Sequence, residues 1–142
     1  MSLPDSVPDN AFQCELQLRW SDQDLLAHVN NARIVTLGEE ARIRSDAAWF
    51  ADAAQAGGRV VRSQRIDFDA PIHYGPALYA AVWVCRIGRT SFTLVHELWQ
   101  KQQRCARIEA VMVGLDPETG RPTPIPDETR AVLEQHQPPT AH

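Results

Sequence analysis

The chain has 142 residues, 44% of them hydrophobic, which is enough for one domain with one core. Its 14 Lys and Arg against 18 Asp and Glu leave a net charge of -4, too little basic field for a phosphate backbone, and this sets nucleic acid aside as a partner. The start Met1-Ser2-Leu3-Pro4-Asp5 lacks a cationic segment followed by an apolar run, and no apolar stretch approaches the roughly 20 residues that span a bilayer, so a soluble, cytoplasmic chain is expected.

Cys14, Cys85 and Cys105 are far apart and without ligand spacing. Neither a disulfide framework nor a metal site is expected, and Cys85 and Cys105, inside apolar runs, read as small core residues. Residues 1–10, with Pro4, Pro8, Asp5 and Asp9, read as a flexible leader. From Phe12 to Trp20 apolar residues alternate with Gln13, Glu15, Gln17 and Arg19, the period of a strand with one buried face. A polar loop follows and ends at Asn30-Asn31, where an asparagine side chain can cap a helix. Ile34, Leu37, Gly38, Ala41, Ala48 and Phe50 give that helix a face to lay on a sheet, and Gly57-Gly58 is expected to end it.

Four strands are expected next, over 59–69, 78–88, 91–102 and 104–115, separated by Pro71 to Pro76, by Gly88-Arg89-Thr90 and by Lys101-Gln102-Gln103. The short connections predict antiparallel neighbours. Residues 78–87 are apolar on both faces, which predicts a central strand covered by the helix on one side and, as a natural candidate, by a partner subunit on the other. After a Pro-rich loop, a short helix capped by Asp127 runs to Gln135. The domain is expected over 11–136, with a flexible tail at 137–142. One strand, a long helix and four antiparallel strands describe an α+β sheet wrapped around a single central helix.

Four separate segments carry a resemblance. They are Arg19-Trp20-Ser21-Asp22-Gln23-Asp24 leading to His28-Val29-Asn30-Asn31-Ala32-Arg33, then Glu39-Glu40-Ala41-Arg42, then Asp69-Ala70-Pro71-Ile72-His73-Tyr74-Gly75, and finally Leu115-Asp116-Pro117-Glu118-Thr119-Gly120-Arg121-Pro122. In order and spacing, over nearly the whole chain, they resemble the hotdog-fold acyl-CoA thioesterases of the 4-hydroxybenzoyl-CoA thioesterase type, with their long-chain and medium-chain members. The resemblance implies a five-stranded antiparallel hotdog sheet and a homodimer or homotetramer with the site at a subunit interface. It implies hydrolysis of an acyl-CoA to free acid and coenzyme A, a step of fatty acid metabolism. No cofactor is implied, coenzyme A being part of substrate and product.

In that frame Asp24 is the catalytic carboxylate, as general base or as nucleophile, and the start of the helix at Asn30 and Asn31 polarises the carbonyl. The physical reading agrees, because a thioester carbonyl gains negative charge under attack and N–H groups at a helix N-terminus are preorganised donors for it. Taken without the resemblance, the same loop is ordinary turn and cap chemistry, and Asp22 keeps that reading. His28 either orients water or substrate, or is a partly buried hydrogen-bonding residue. Glu39 with Arg42 and Glu40 with Arg44 stand at ion-pair spacing on a helix, which accounts for both glutamates.

Where the resemblance places coenzyme A contacts, Arg89, Thr90 and Ser91 are substrate-binding candidates, with a plain hairpin turn as the competing account. Tyr74, with His73, lines an acyl pocket or closes a Pro-Gly turn. His96 reads as a satisfied core histidine, and Trp83 with Trp99 as core or interface. Relatives often carry a tyrosine where this chain has Ile34, so the acyl pocket is expected to differ in width or polarity. Two alternatives stay open: a hotdog enoyl-thioester hydratase or dehydratase using Asp24 and His28, although its usual Gly-Asp-x-Asn-Pro-x-His pattern is absent, and a non-catalytic acyl-CoA-binding module.

Overall fold

A computed structural model describes residues 3–50 and 58–139. The elements run β1 (Phe12–Leu16), a 3-10 turn (Trp20–Asp22), α1 (Asn31–Trp49), β2 (Arg59–Phe68), β3 (Leu78–Ile87), β4 (Ser91–Gln100), β5 (Gln103–Gly114) and α2 (Asp127–Gln135). The five strands form one sheet in the order β1-β3-β4-β5-β2, with every pairing antiparallel. The expected long strand 12–20 stops at Leu16 because Asp22 captures the backbone N–H and the guanidinium of Arg19, which folds the chain into the 3-10 turn. Trp20, expected on the buried face, is consequently 74% exposed.

The sheet curls around α1. Ile34, Leu37, Gly38 and Ala41 are buried against Leu78, Ala80, Val82 and Leu98. The fourth turn of this face is Ser45 and not Ala48, which is exposed. Ser45 tolerates full burial because its hydroxyl donates to the Arg42 carbonyl at 2.7 Å. Gly38 permits the close approach, since a Cβ there would lie 2.5 Å from Cδ1 of Ile108. Within the described residues α1 ends at Trp49, and Gly57 of the expected Gly57-Gly58 stop lies outside them. Glu39–Arg42 and Glu40–Arg44 form the expected ion pairs, at 3.6 and 3.8 Å.

β3 is the central strand with two apolar faces. Ala80, Val82 and Val84 point to the helix side, while Ala81 and Trp83 join Val95 and Trp99 on the outer face. Within the chain its own start contributes cover there, with Val7 buried at 4% against this cluster, so the first ten residues are not wholly a loose leader. Cys105 is a core residue, but Cys85 is exposed, correcting its placement in the core. A register shift between Val84 and Arg86 turns it out of the sheet's packing. The β4–β5 hairpin turns on Lys101 and Gln102, both at positive φ (48° and 64°), so two non-glycine residues adopt the twist a two-residue hairpin demands.

α2 forms over its expected range, but Pro126 and not Asp127 is its N-cap. Asp127 and Glu128 sit instead in the first turn, beside the positive end of the helix dipole. His96 is fully buried between sheet and α1. Its Nδ1 faces the Ile108 carbonyl at 3.3 Å, and its Nε2 has no partner among the described residues, so it is a core histidine that is only half satisfied. Burial lowers its pKa to about 4 and keeps the ring neutral. Among the described residues no helix is long and apolar enough to cross a membrane.

Candidate active site

Between the 3-10 turn and α1 the chain makes a tight hairpin-like loop. Asn30 N–H donates to the Asp22 carbonyl at 2.9 Å, Asp24 N–H to the His28 carbonyl at 2.9 Å, and Ala27 N–H to the Asp24 carbonyl at 3.0 Å. Ala27 takes a positive φ of 60° to close the turn. Asp22 is therefore more than a turn former. Buried to 3% exposure, it ties Arg19 at one end of the loop to the helix cap at the other.

Asp24 stands exposed on this frame. One of its carboxylate oxygens accepts the Leu26 N–H at 2.9 Å, and the other accepts nothing from the described residues. At the start of α1 the Asn30 side chain caps Ala32 N–H at 2.8 Å, and the Asn30 carbonyl takes Arg33 and Ile34 N–H at 2.9 and 3.1 Å. Asn31 N–H is the first-turn donor left without an acceptor among the described residues. Asp24, His28, Asn30 and Asn31 all line one open hollow of about 400 Å³. Its other walls mix apolar residues, Ile34 and Phe68 among them, with Asp69. A carboxylate with a free oxygen, an open helix N-terminal N–H and an apolar wall thus meet in one place.

The far wall is residues 69–72, joined to the loop by the bond from Val29 N–H to the Ile72 carbonyl at 2.8 Å. His73 places its ring edge-on to His28, with centroids 5.0 Å apart and planes at 84°. Tyr74, 48% exposed, lines a neighbouring hollow beside Leu16 and Leu18. The remaining candidates lie elsewhere. The Gly88–Ser91 turn is held by Gly88 N–H on the Ser91 carbonyl, by Ile125 N–H on the Arg89 carbonyl and by the Arg130 guanidinium on the Gly88 carbonyl. It sits at the opposite end of β3 from the 72–76 segment, and the ten residues of that strand span roughly 30 Å. One chain thus brings Asp24, His28, Asn30 and Asn31 together and holds Arg89, Thr90 and Ser91 far from them.

Two residues of this architecture were not singled out from the sequence in their present roles. In sequence Asp22 has the pattern of a turn residue, and Gln100, which grips the 73–76 segment, carries no signal because one glutamine at a strand end looks like any polar strand end. A second hollow, of about 330 Å³, lies at the far end of α1 around the Asp46–Arg59 ion pair. It has no helix N-terminus. Among the described residues no three His, Cys, Asp or Glu side chains are grouped to hold a metal ion.

Residues 18–133 match the thioesterase-like superfamily. A search of curated proteins finds no match. Among solved structures the chain is similar to a predicted thioesterase from Bacillus stearothermophilus, with 28% identity and TM-score 0.82 over 92% of this chain and 99% of that one. It is also similar to a thioesterase from Thermus thermophilus complexed with coenzyme A and Zn, with 30% identity and TM-score 0.79 over 88% and 92%. A thioesterase superfamily structure from Jannaschia sp. CCS1, at 21% identity, matches in fold with TM-score 0.86 over 98% and 100%. With its sheet wrapped around α1 and its match running from Leu18 to Leu133, the chain belongs to the thioesterase-like superfamily and has the hotdog fold.

Proposed function

We propose that the protein hydrolyses an acyl-CoA thioester to the free acid and coenzyme A at the Asp24 hollow. Family membership and the thioesterase neighbours support thioester hydrolysis in general. The single observation that carries the reading further is that Asp24, with its free carboxylate oxygen, and Asn31, with its open N–H, line the same hollow. In this reading the free oxygen of Asp24 takes a proton from water. The hydroxide attacks the thioester carbon, and Asn31 N–H holds the oxyanion while the tetrahedral intermediate forms. Collapse of the intermediate breaks the carbon–sulfur bond, and the departing thiolate takes the proton back from Asp24. The alternative route, attack by the carboxylate itself to give a mixed anhydride, starts from the same oxygen. Base, water and oxyanion donor are then all in hand, and neither route calls for a metal or redox cofactor.

Coenzyme A as the thiol carrier is supported by the coenzyme A complex of the Thermus thermophilus protein. A second copy of the chain completes the site in this reading. β2 is an edge strand of ten residues, with Val60 and Phe68 exposed at 44% and 47%, and an unpaired edge of that length invites pairing. Antiparallel pairing of two β2 edges sets the Asp24 end of one copy beside the Gly88–Ser91 end of the other. Arg89, Thr90 and Ser91 of a second copy then fall within reach of a coenzyme A whose thioester is held at Asp24. Incubation with octanoyl-CoA and crotonyl-CoA tests the reaction. Thiol release is expected, and loss of the enoyl absorbance without thiol release would contradict it in favour of hydration.

A further inference from the structure

The segment that directly follows the 69–72 wall of the Asp24 hollow is held by a side chain that chemistry at Asp24 does not itself require. Gln100, the last residue of β4, is 5% exposed. It spends both ends of its carboxamide on one segment. Its Oε1 accepts the His73 N–H at 3.0 Å, and its Nε2 donates to the His73 carbonyl at 2.8 Å and to the Pro76 carbonyl at 3.1 Å. A buried apolar residue in its place would take the partner from three backbone groups, so the glutamine selects one conformation of residues 73–76 over others.

That conformation enters the site at two points. Ile72, fully buried next to the clamp, takes the Val29 N–H at 2.8 Å. His73 presents its ring edge-on to His28 at 5.0 Å, and the His28 carbonyl in turn takes the Asp24 N–H at 2.9 Å. The contacts therefore run without a break from Gln100 through His73 to His28 and the Asp24 loop. Edge-to-face ring contacts fix orientation, and this one is the ring contact His28 makes among the described residues.

Resting on the thioesterase reading, we propose that Gln100 and His73 are positioning residues of the thioester site. The Gln100 carboxamide fixes the His73 backbone, and the His73 ring fixes the orientation of the His28 ring beside Asp24. The role of His73 is one of packing, so an aromatic ring without nitrogens can fill it.

Thiol release from octanoyl-CoA by His73→Ala, His73→Phe, Gln100→Ala and the double variant His73→Ala/Gln100→Ala tests this. His73→Ala leaves the backbone bonds to Gln100 in place and keeps the fold. It is expected to lower kcat about tenfold with KM within about twofold, the signature of a misplaced group and not of lost binding. His73→Phe should return kcat to within about twofold of wild type, and the double variant should lose no more than the greater single loss. An unchanged kcat in His73→Ala, a His73→Phe as impaired as the alanine variant, or additive losses in the double variant would overturn the proposal. The imidazole Cε1–H resonance of His28 is the second readout. It should move in His73→Ala and return in His73→Phe, and a resonance that stays put in both overturns the ring contact. If wild type releases thiol from no acyl-CoA, the thioesterase reading fails by itself, and this resonance still decides the positioning claim.

Discussion

Asp24 and Asn31 line the same hollow, and among the described residues one carboxylate oxygen of Asp24 and the backbone N–H of Asn31 have no hydrogen-bond partner. Asn30 caps Ala32, its carbonyl takes two further amides, and Asp22 closes the loop behind. A free carboxylate oxygen and an open helix N-terminal N–H on one hollow are the two groups that activation of water and stabilisation of an oxyanion call for.

The cap can be separated from the catalyst. Asn30→Ala removes the acceptor for Ala32 N–H at the exposed start of α1, which is expected to cost about 1 kcal/mol of stability. Asn30→Asp restores that acceptor and should recover the loss. Urea unfolding of the two variants checks this, and equal stabilities for Ala and Asp would be contrary to it.

Asp22 is expected to matter for folding more than a turn residue does. Asp22→Ala removes the buried carboxylate that accepts the Arg19 N–H and guanidinium, and frees the loop that sets the α1 cap. The expected loss is about 2 kcal/mol, measured by the urea midpoint at constant m-value.

Gly38 sets the distance between α1 and the sheet. Gly38→Ala raises helix propensity by about 1 kcal/mol but drives a methyl to 2.5 Å from Cδ1 of the buried Ile108. A net loss of about 1 kcal/mol is expected, since overpacking a tight core costs roughly 1–3 kcal/mol. Ile108→Val removes the clashing carbon, so the double variant Gly38→Ala/Ile108→Val should be more stable than the sum of the single changes predicts.

His96 gives the fold an acid limb. Its pKa falls from 6.5 to about 4 chiefly through burial, with the nearby Arg42 charge adding to the effect. The unfolded chain therefore takes up this proton near pH 6.5, whereas the folded chain holds it off until about pH 4. Stability from this group is fully present above pH 6.5 and is lost as pH falls toward 4, by about 3 kcal/mol. Urea midpoints measured across that window should fall in wild type and fall less in His96→Leu.

Most of the fold was legible because it rests on periodicities and punctuation. β2 to β5 lie where alternation and turn residues place them, and α1 begins at the asparagine that caps it. What escaped depends on side chains meeting across the fold. Ser45 is polar by composition, but its hydroxyl is satisfied within its own helix. Cys85 sits in an apolar run, but a register shift turns it outward. At the site, the clustering of Asp24, His28, Asn30 and Asn31 follows from their nearness in chain. The grip of Gln100 on His73, 27 residues away, has no local signature. Nor does the distance of Arg89 from Asp24, which only the strand order and the direction of β3 reveal.

The central claim, that the free oxygen of Asp24 carries the reaction, is tested most directly by steady-state thiol release from octanoyl-CoA in wild type and Asp24→Asn. The substitution keeps an acceptor for the Leu26 N–H and removes the base. It is expected to lower kcat by at least about 100-fold with the fold intact by circular dichroism. Equal kcat values in the two proteins would contradict the account.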